Sequence, residues 1–174
     1  SGPKESPAGS RSDPRDAMYF DNAATSFPKP DAVYLAMDSF LRTSAANPGR
    51  SGHRLSVAAD RVVADARQRL ARLLNAPDPR RVVWTANCTA ALNLALKGLL
   101  RAGDHVVTTE LEHNSVVRPL RSLEKAGVSV TRVDCPQGRF DPARFLAALR
   151  SETRLAVFPH ASNVTGAVLP IAEL

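Results

Sequence analysis

Three short stretches of this chain carry side chains able to hold or attack a ligand. In Asn87-Cys88-Thr89-Ala90-Ala91 a hydroxyl sits where the chain turns into a helix. Backbone N–H groups at a helix N-terminus point at any anion placed there, and a hydroxyl adds a donor, so Thr89 is a candidate phosphate ligand. The same threonine can equally be a plain helix cap. In Glu112-His113-Asn114-Ser115 an imidazole follows an apolar run. There it can stack on a flat ring or move a proton, or serve structure alone. In Ser162-Asn163-Val164-Thr165-Gly166 the Asn163 amide can bond a ligand oxygen, or build an Asx-turn before the glycine.

These three loops need a frame that brings them together, and the surrounding pattern supplies one. Residues 81–86 read as a short strand, 89–100 as a helix, 104–109 as a strand and 115–126 as a helix stopped by Gly127. Strand 128–133, helix 142–150 and strand 155–160 follow. This alternation calls for an α/β layered domain on a mainly parallel sheet. In such sheets ligands sit beyond the C-terminal strand ends, where all three loops fall. Ahead of it, residues 30–41 and a longer stretch from Ser56, read as its cap, to Leu74 have helical spacing. Residues 1–17, rich in Ser, Pro, Gly and charge, read as a disordered extension, with Met18 as a candidate natural start. The organisation is therefore an extension at 1–17, a helical segment at 18–75, and an α/β region at 76–174.

Composition narrows the function classes. Hydrophobic residues at 44% and charged residues at 23% suit a soluble globular domain. No apolar run approaches the ~20 residues of a membrane helix, and the N-terminus has no secretory core. The net charge is +6, but the arginines are scattered singly and aromatics are few, which argues for solvated helix faces over nucleic-acid binding. Cys88 and Cys135 lie far apart, with neither metal-ligand spacing nor a disulfide framework. Cys135, before Pro136, reads as structural. Reduced thiols fit a cytoplasmic protein with no metal site.

Tyr19-Phe-Asp-Asn-Ala-Ala-Thr-Ser26, Asn47-Pro-Gly-Arg-Ser-Gly-His53, the Thr89 turn, Glu112-His113-Asn114-Ser115 and Ser162-Asn163-Val164-Thr165-Gly166 occur in an order and spacing that resemble one family. It is the pyridoxal-phosphate (PLP) dependent class V aminotransferase and cysteine desulfurase family, of fold-type I. The resemblance covers residues 19–174. It implies part of a three-layer α/β/α large domain preceded by a helical segment. It implies that Cys88 (backbone) and Thr89 hold the PLP phosphate. His113 would stack on the ring and shuttle a proton, and Asn163 would bond the ring's 3-oxygen. Ala23 and Ala24 would line the substrate side, with Arg50 and His53 near an active site. A cysteine at position 88 departs from the more usual Thr or Ala, yet its backbone N–H still donates.

The family's aspartate for the ring nitrogen, its lysine motif, its persulfide cysteine and its substrate-carboxylate arginine have no counterpart here. The lysines are Lys4, Lys29, Lys97 and Lys125, none in the required motif. The expectation is an N-terminal fragment of a homodimeric enzyme that takes sulfur from L-cysteine, leaving alanine and an enzyme persulfide, with a sulfur-acceptor protein as a further partner. Selenocysteine lyase, or another class V aminotransferase or lyase, fits the same cofactor motifs. A non-catalytic truncated or split-gene subunit is the reading from a different class.

Overall fold

The computed structural model describes residues 18–49 and 52–174. The extension at 1–17 and Arg50 lie outside the described residues. The chain divides into two compact units, one ending at Val82 and the other starting at Val83.

The first unit holds helices α1 (Asp31–Thr43) and α2 (Arg54–Leu73), and a 3-10 turn at Pro79–Arg81 packed on α2. Helix α1 starts directly after Pro30, with Asp31 in its first turn, where a carboxylate suits the helix dipole. It buries no residue. The cap of α2 is His53, not Ser56. Its Nδ1 accepts from the Ser56 N–H at 3.2 Å, while the buried Ser56 hydroxyl donates to the Asn47 carbonyl at 2.8 Å. The hydroxyl thus ties the preceding loop down, and the longer imidazole reaches the free N–H.

The second unit is α/β. Helix α3 (Cys88–Leu99) leads to β1 (His105–Thr109), α4 (Asn114–Lys125), β2 (Ser129–Val133), α5 (Pro142–Ala147) and β3 (Thr153–Ala156). The strands form a parallel sheet in the order β2-β1-β3. Alternation along β1 sends Val106 and Val107 to opposite faces. Val106 joins Leu96 and Leu100 with Val116, Leu120 and Val128 in one buried cluster beneath α3 and α4. Val107 joins Val133 and Phe145 beneath α5, where Phe140, Phe145 and Phe158 meet ring to ring at 5.1–6.3 Å. The result is the expected α/β/α layering. Helix α4 ends on Gly127 at φ +93, with Val128 N–H bonded to the Leu123 carbonyl and Gly127 N–H to that of Glu124. This left-handed glycine stop turns the chain straight into β2.

One expected strand is absent. Residues 82–85 carry no regular secondary structure and 86–87 bend, none of them pairs with a described strand, and Val83 and Trp84 stay exposed. A strand needs a ladder partner, and β-favouring composition supplies none. Among the described residues no helix is long and apolar enough to cross a membrane.

Candidate functional site

Thr89 is the second residue of α3, and the cap is its neighbour Asn87, whose side chain accepts from the Ala90 N–H at 2.9 Å. The plain-cap explanation for Thr89 therefore falls away. No described residue accepts from the N–H groups of Cys88 or Thr89, so both first-turn donors remain available. Cys88 is exposed. Cys135 is buried, with its thiol directed at the Val133 carbonyl at 3.6 Å and its pKa pushed up by burial, as suits a packed, unreactive cysteine.

His113 caps α4. Its Nδ1 accepts from the Ser115 N–H at 3.1 Å and lies 2.8 Å from the Ser115 hydroxyl. An accepting Nδ1 places the proton of the neutral ring on Nε2. The cap is a structural role, and it also fixes the orientation of an otherwise exposed ring.

The two helix starts share a space. A cavity of about 270 Å³ is lined by Thr89, His113, Asn114, Ser115 and Arg118. It adjoins a groove of about 280 Å³ between α3 and α4 to which Thr89, Asn93 and Lys97 contribute from one helix, and Asn114, Arg118 and Ser122 from the other. Two helix N-termini with Arg118 beside them favour an anion, and Lys97, in the last turn of α3, adds a second cation along the groove. Arg118 and Lys97 escaped the motif-based reading. Their signal is the four-residue spacing of Thr89, Asn93 and Lys97, and of Asn114, Arg118 and Ser122, which puts each trio on one helix face.

Asn163 lies in the loop after β3, exposed, and does not line that cavity. The local turn belongs to Ser162, whose buried hydroxyl accepts from the N–H groups of Val164 and Thr165 at 3.3 and 3.2 Å. Gly166 closes it at φ +71. Asn163 is thus displayed rather than consumed in an Asx-turn. Because β1 and β3 are parallel neighbours, the loops bearing His113 and Asn163 leave the same sheet edge.

The other candidates belong to the first unit. Ala23 and Ala24 are exposed on a turn closed by the Ala24 N–H bond to the Asp21 carbonyl, where the Tyr19 hydroxyl also donates. This opening stretch is a turn and not a strand. The Asp21 carbonyl accepts from the Ala24 and Thr25 N–H groups, and no described strand pairs with the stretch. His53 caps α2 as described.

The chain is similar to known proteins of one family. The chain is 38% identical over 162 residues to the cysteine desulfurase IscS of Anaeromyxobacter sp. (strain Fw109-5), covering 90% of this chain and 40% of that protein. It is 35% identical over 163 residues to the namesake from Dechloromonas aromatica, with the same coverage. Among solved structures, the apo cysteine desulfurase of Thermococcus onnurineus NA1 superposes with a TM-score of 0.77 at 30% identity, over 90% of this chain and 40% of that one. A NIFS-like protein gives 0.79 at 26% identity, over 88% and 43%. The chain thus spans about 40% of the length of these curated relatives. The model of the aminotransferase class-V family matches residues 18–174, which takes in the capped helix starts, the parallel sheet and the Asn163 loop, and the chain belongs to that family.

Proposed function

We propose that this chain is the N-terminal, cofactor-holding part of a PLP-dependent cysteine desulfurase-like enzyme. The observation that carries the reading is the shared cavity of Thr89 and His113, where unused N–H donors of α3 meet an oriented imidazole and Arg118. The donor set fits a phosphorylated aromatic ring. The N–H groups of Cys88 and Thr89 and the Thr89 hydroxyl donate to phosphate oxygens, and Arg118 balances their charge. His113, held through Nδ1, offers a ring face and a proton on Nε2. Asn163 supplies the exposed amide for a ring oxygen. Bound there, the cofactor would serve as an electron sink for an amino-acid substrate.

L-Cysteine is the proposed substrate, with a homodimeric whole protein, a cytoplasmic setting and a protein acceptor for the sulfur. Ala23, Ala24, Arg50 and His53 are proposed for the substrate side. The whole protein carrying this chain, supplied with PLP and L-cysteine, should release sulfide and alanine. The 174 residues alone should release none, because no lysine here sits in the required motif. Thr89→Val should weaken PLP binding, followed by cofactor absorbance, with little change in thermal stability. Binding indifferent to Thr89→Val and to competing inorganic phosphate would overturn the cradle. Turnover of selenocysteine or another amino acid in place of cysteine would keep the cradle and change the substrate.

A further inference from the structure

A second histidine, unrelated to the cavity, joins all three strands. His105 opens β1 and is 1% exposed. Its Nδ1 lies 2.7 Å from the Thr153 hydroxyl on β3, and its Nε2 lies 2.8 Å from the Thr131 hydroxyl on β2. Both hydroxyls are also held by Arg150, whose backbone N–H donates to Thr153 at 2.7 Å and whose guanidinium donates to Thr131 at 3.2 Å. The backbone ladder is irregular at this point. His105 faces Thr153 and Val106 faces Leu155, so Arg154 is bulged out. Side chains therefore reinforce the ladder where its register breaks.

We propose that His105 is a pH-sensitive clamp, whose neutral ring ties β2, β1 and β3 together and whose protonation loosens that end of the sheet. The neutral ring donates at one nitrogen and accepts at the other, which matches two hydroxyls, one accepting and one donating. An imidazolium must donate at both. Each hydroxyl then receives a ring N–H besides its Arg150 donor, and the threonine that had donated to the ring loses its acceptor. The new charge also sits in a buried place close to the Arg150 guanidinium. Glu152, the other charged group facing the ring, favours protonation but is outweighed. Burial, first, and Arg150, second, hold the His105 pKa below the usual 6.5. A histidine with a depressed folded-state pKa stabilises the fold fully above its unfolded value. That contribution is lost as the pH falls through the folded value. The window therefore opens below about pH 6.5.

The test is urea unfolding of protein containing this chain at pH 7.5, 6.5 and 5.5, parent against His105→Gln. As the pH falls below about 6.5 the unfolding constant of the parent should rise relative to the variant, by at most about tenfold per pH unit. Parallel curves for the two proteins would overturn the clamp. Should His105→Gln fail to fold, nitrogen-15 NMR of the parent decides alone. At pH 6.5, where a free imidazole is about half charged, the His105 ring should show mainly neutral-tautomer signals, and a ring half charged or more at that pH would overturn the proposal.

Discussion

Val82-Val83-Trp84-Thr85 and His105-Val106-Val107-Thr108-Thr109 each carry a valine pair with a threonine after it, directly in the second and past Trp84 in the first, and each run leads into a capped helix, α3 after Asn87 and α4 after His113. Their environments are opposite. Val106 and Val107 are fully buried between two ladders, whereas Val83 is 64% exposed with no ladder at all. Intrinsic β preference is the same in both, so it does not decide between them. Neighbours do. The run at 105–109 finds β2 and β3 within the next 50 residues, and the run at 82–87 finds no described partner.

Matched truncations test that contrast most severely. Val106→Ala removes two buried methyl groups and leaves a cavity, and should cost about 2–3 kcal/mol in urea unfolding of this chain. Val83→Ala should change stability by less than about 0.5 kcal/mol. Equal costs would mean that Val83 is covered in solution and that the two runs are alike after all.

The same contrast explains what the sequence could and could not reveal. Helix cores and the β1 and β2 segments were legible because apolar spacing and glycine stops are local signals. The strand expected at 81–86 was not, because pairing is decided by residues far along the chain. Caps failed for a subtler reason. Ser56, read as a cap, gives way to His53, while the cap weighed as an alternative for Thr89 and the turn weighed for Asn163 are filled by the better-placed Asn87 and Ser162. Thr89 and His113 were singled out from motif and position, and the structure brings both to one cavity. The polar stripes ending in Lys97 and Ser122 were written in four-residue spacing, and became a groove only when α3 and α4 packed together.

The helix starts that follow the two runs sharpen the comparison at the next level. Asn87→Ala and His113→Ala each remove a cap and should each cost about 1 kcal/mol. His113→Asn keeps a capping side chain but loses the ring, so stability should return while PLP binding, read by cofactor absorbance, stays weak. Full recovery of binding in His113→Asn would reduce His113 to its cap.

The smallest effect lies at the exit of β1, where the run at 82–87 has no carboxyl to compare. Glu112 Oε1 is buried without a described partner and faces a cleft of about 240 Å³ that it shares with Thr108 and Arg121. Burial pushes the Glu112 pKa up, opposed only in part by the His113 N–H that its carboxylate accepts. A carboxyl with a raised folded-state pKa costs nothing while protonated in both states. It becomes a penalty once the pH rises past its unfolded value, and the penalty is complete above the folded one. Glu112→Gln should therefore stabilise the fold at pH 7, by less than about 1 kcal/mol because the cleft admits water. The gain should shrink as the pH falls to about 4, just below the usual glutamate value, and vanish below that. Urea midpoints for parent and variant at pH 7 and pH 4 give the answer. A variant less stable than the parent at pH 7 would mean that the ionised carboxylate has a partner in the folded protein.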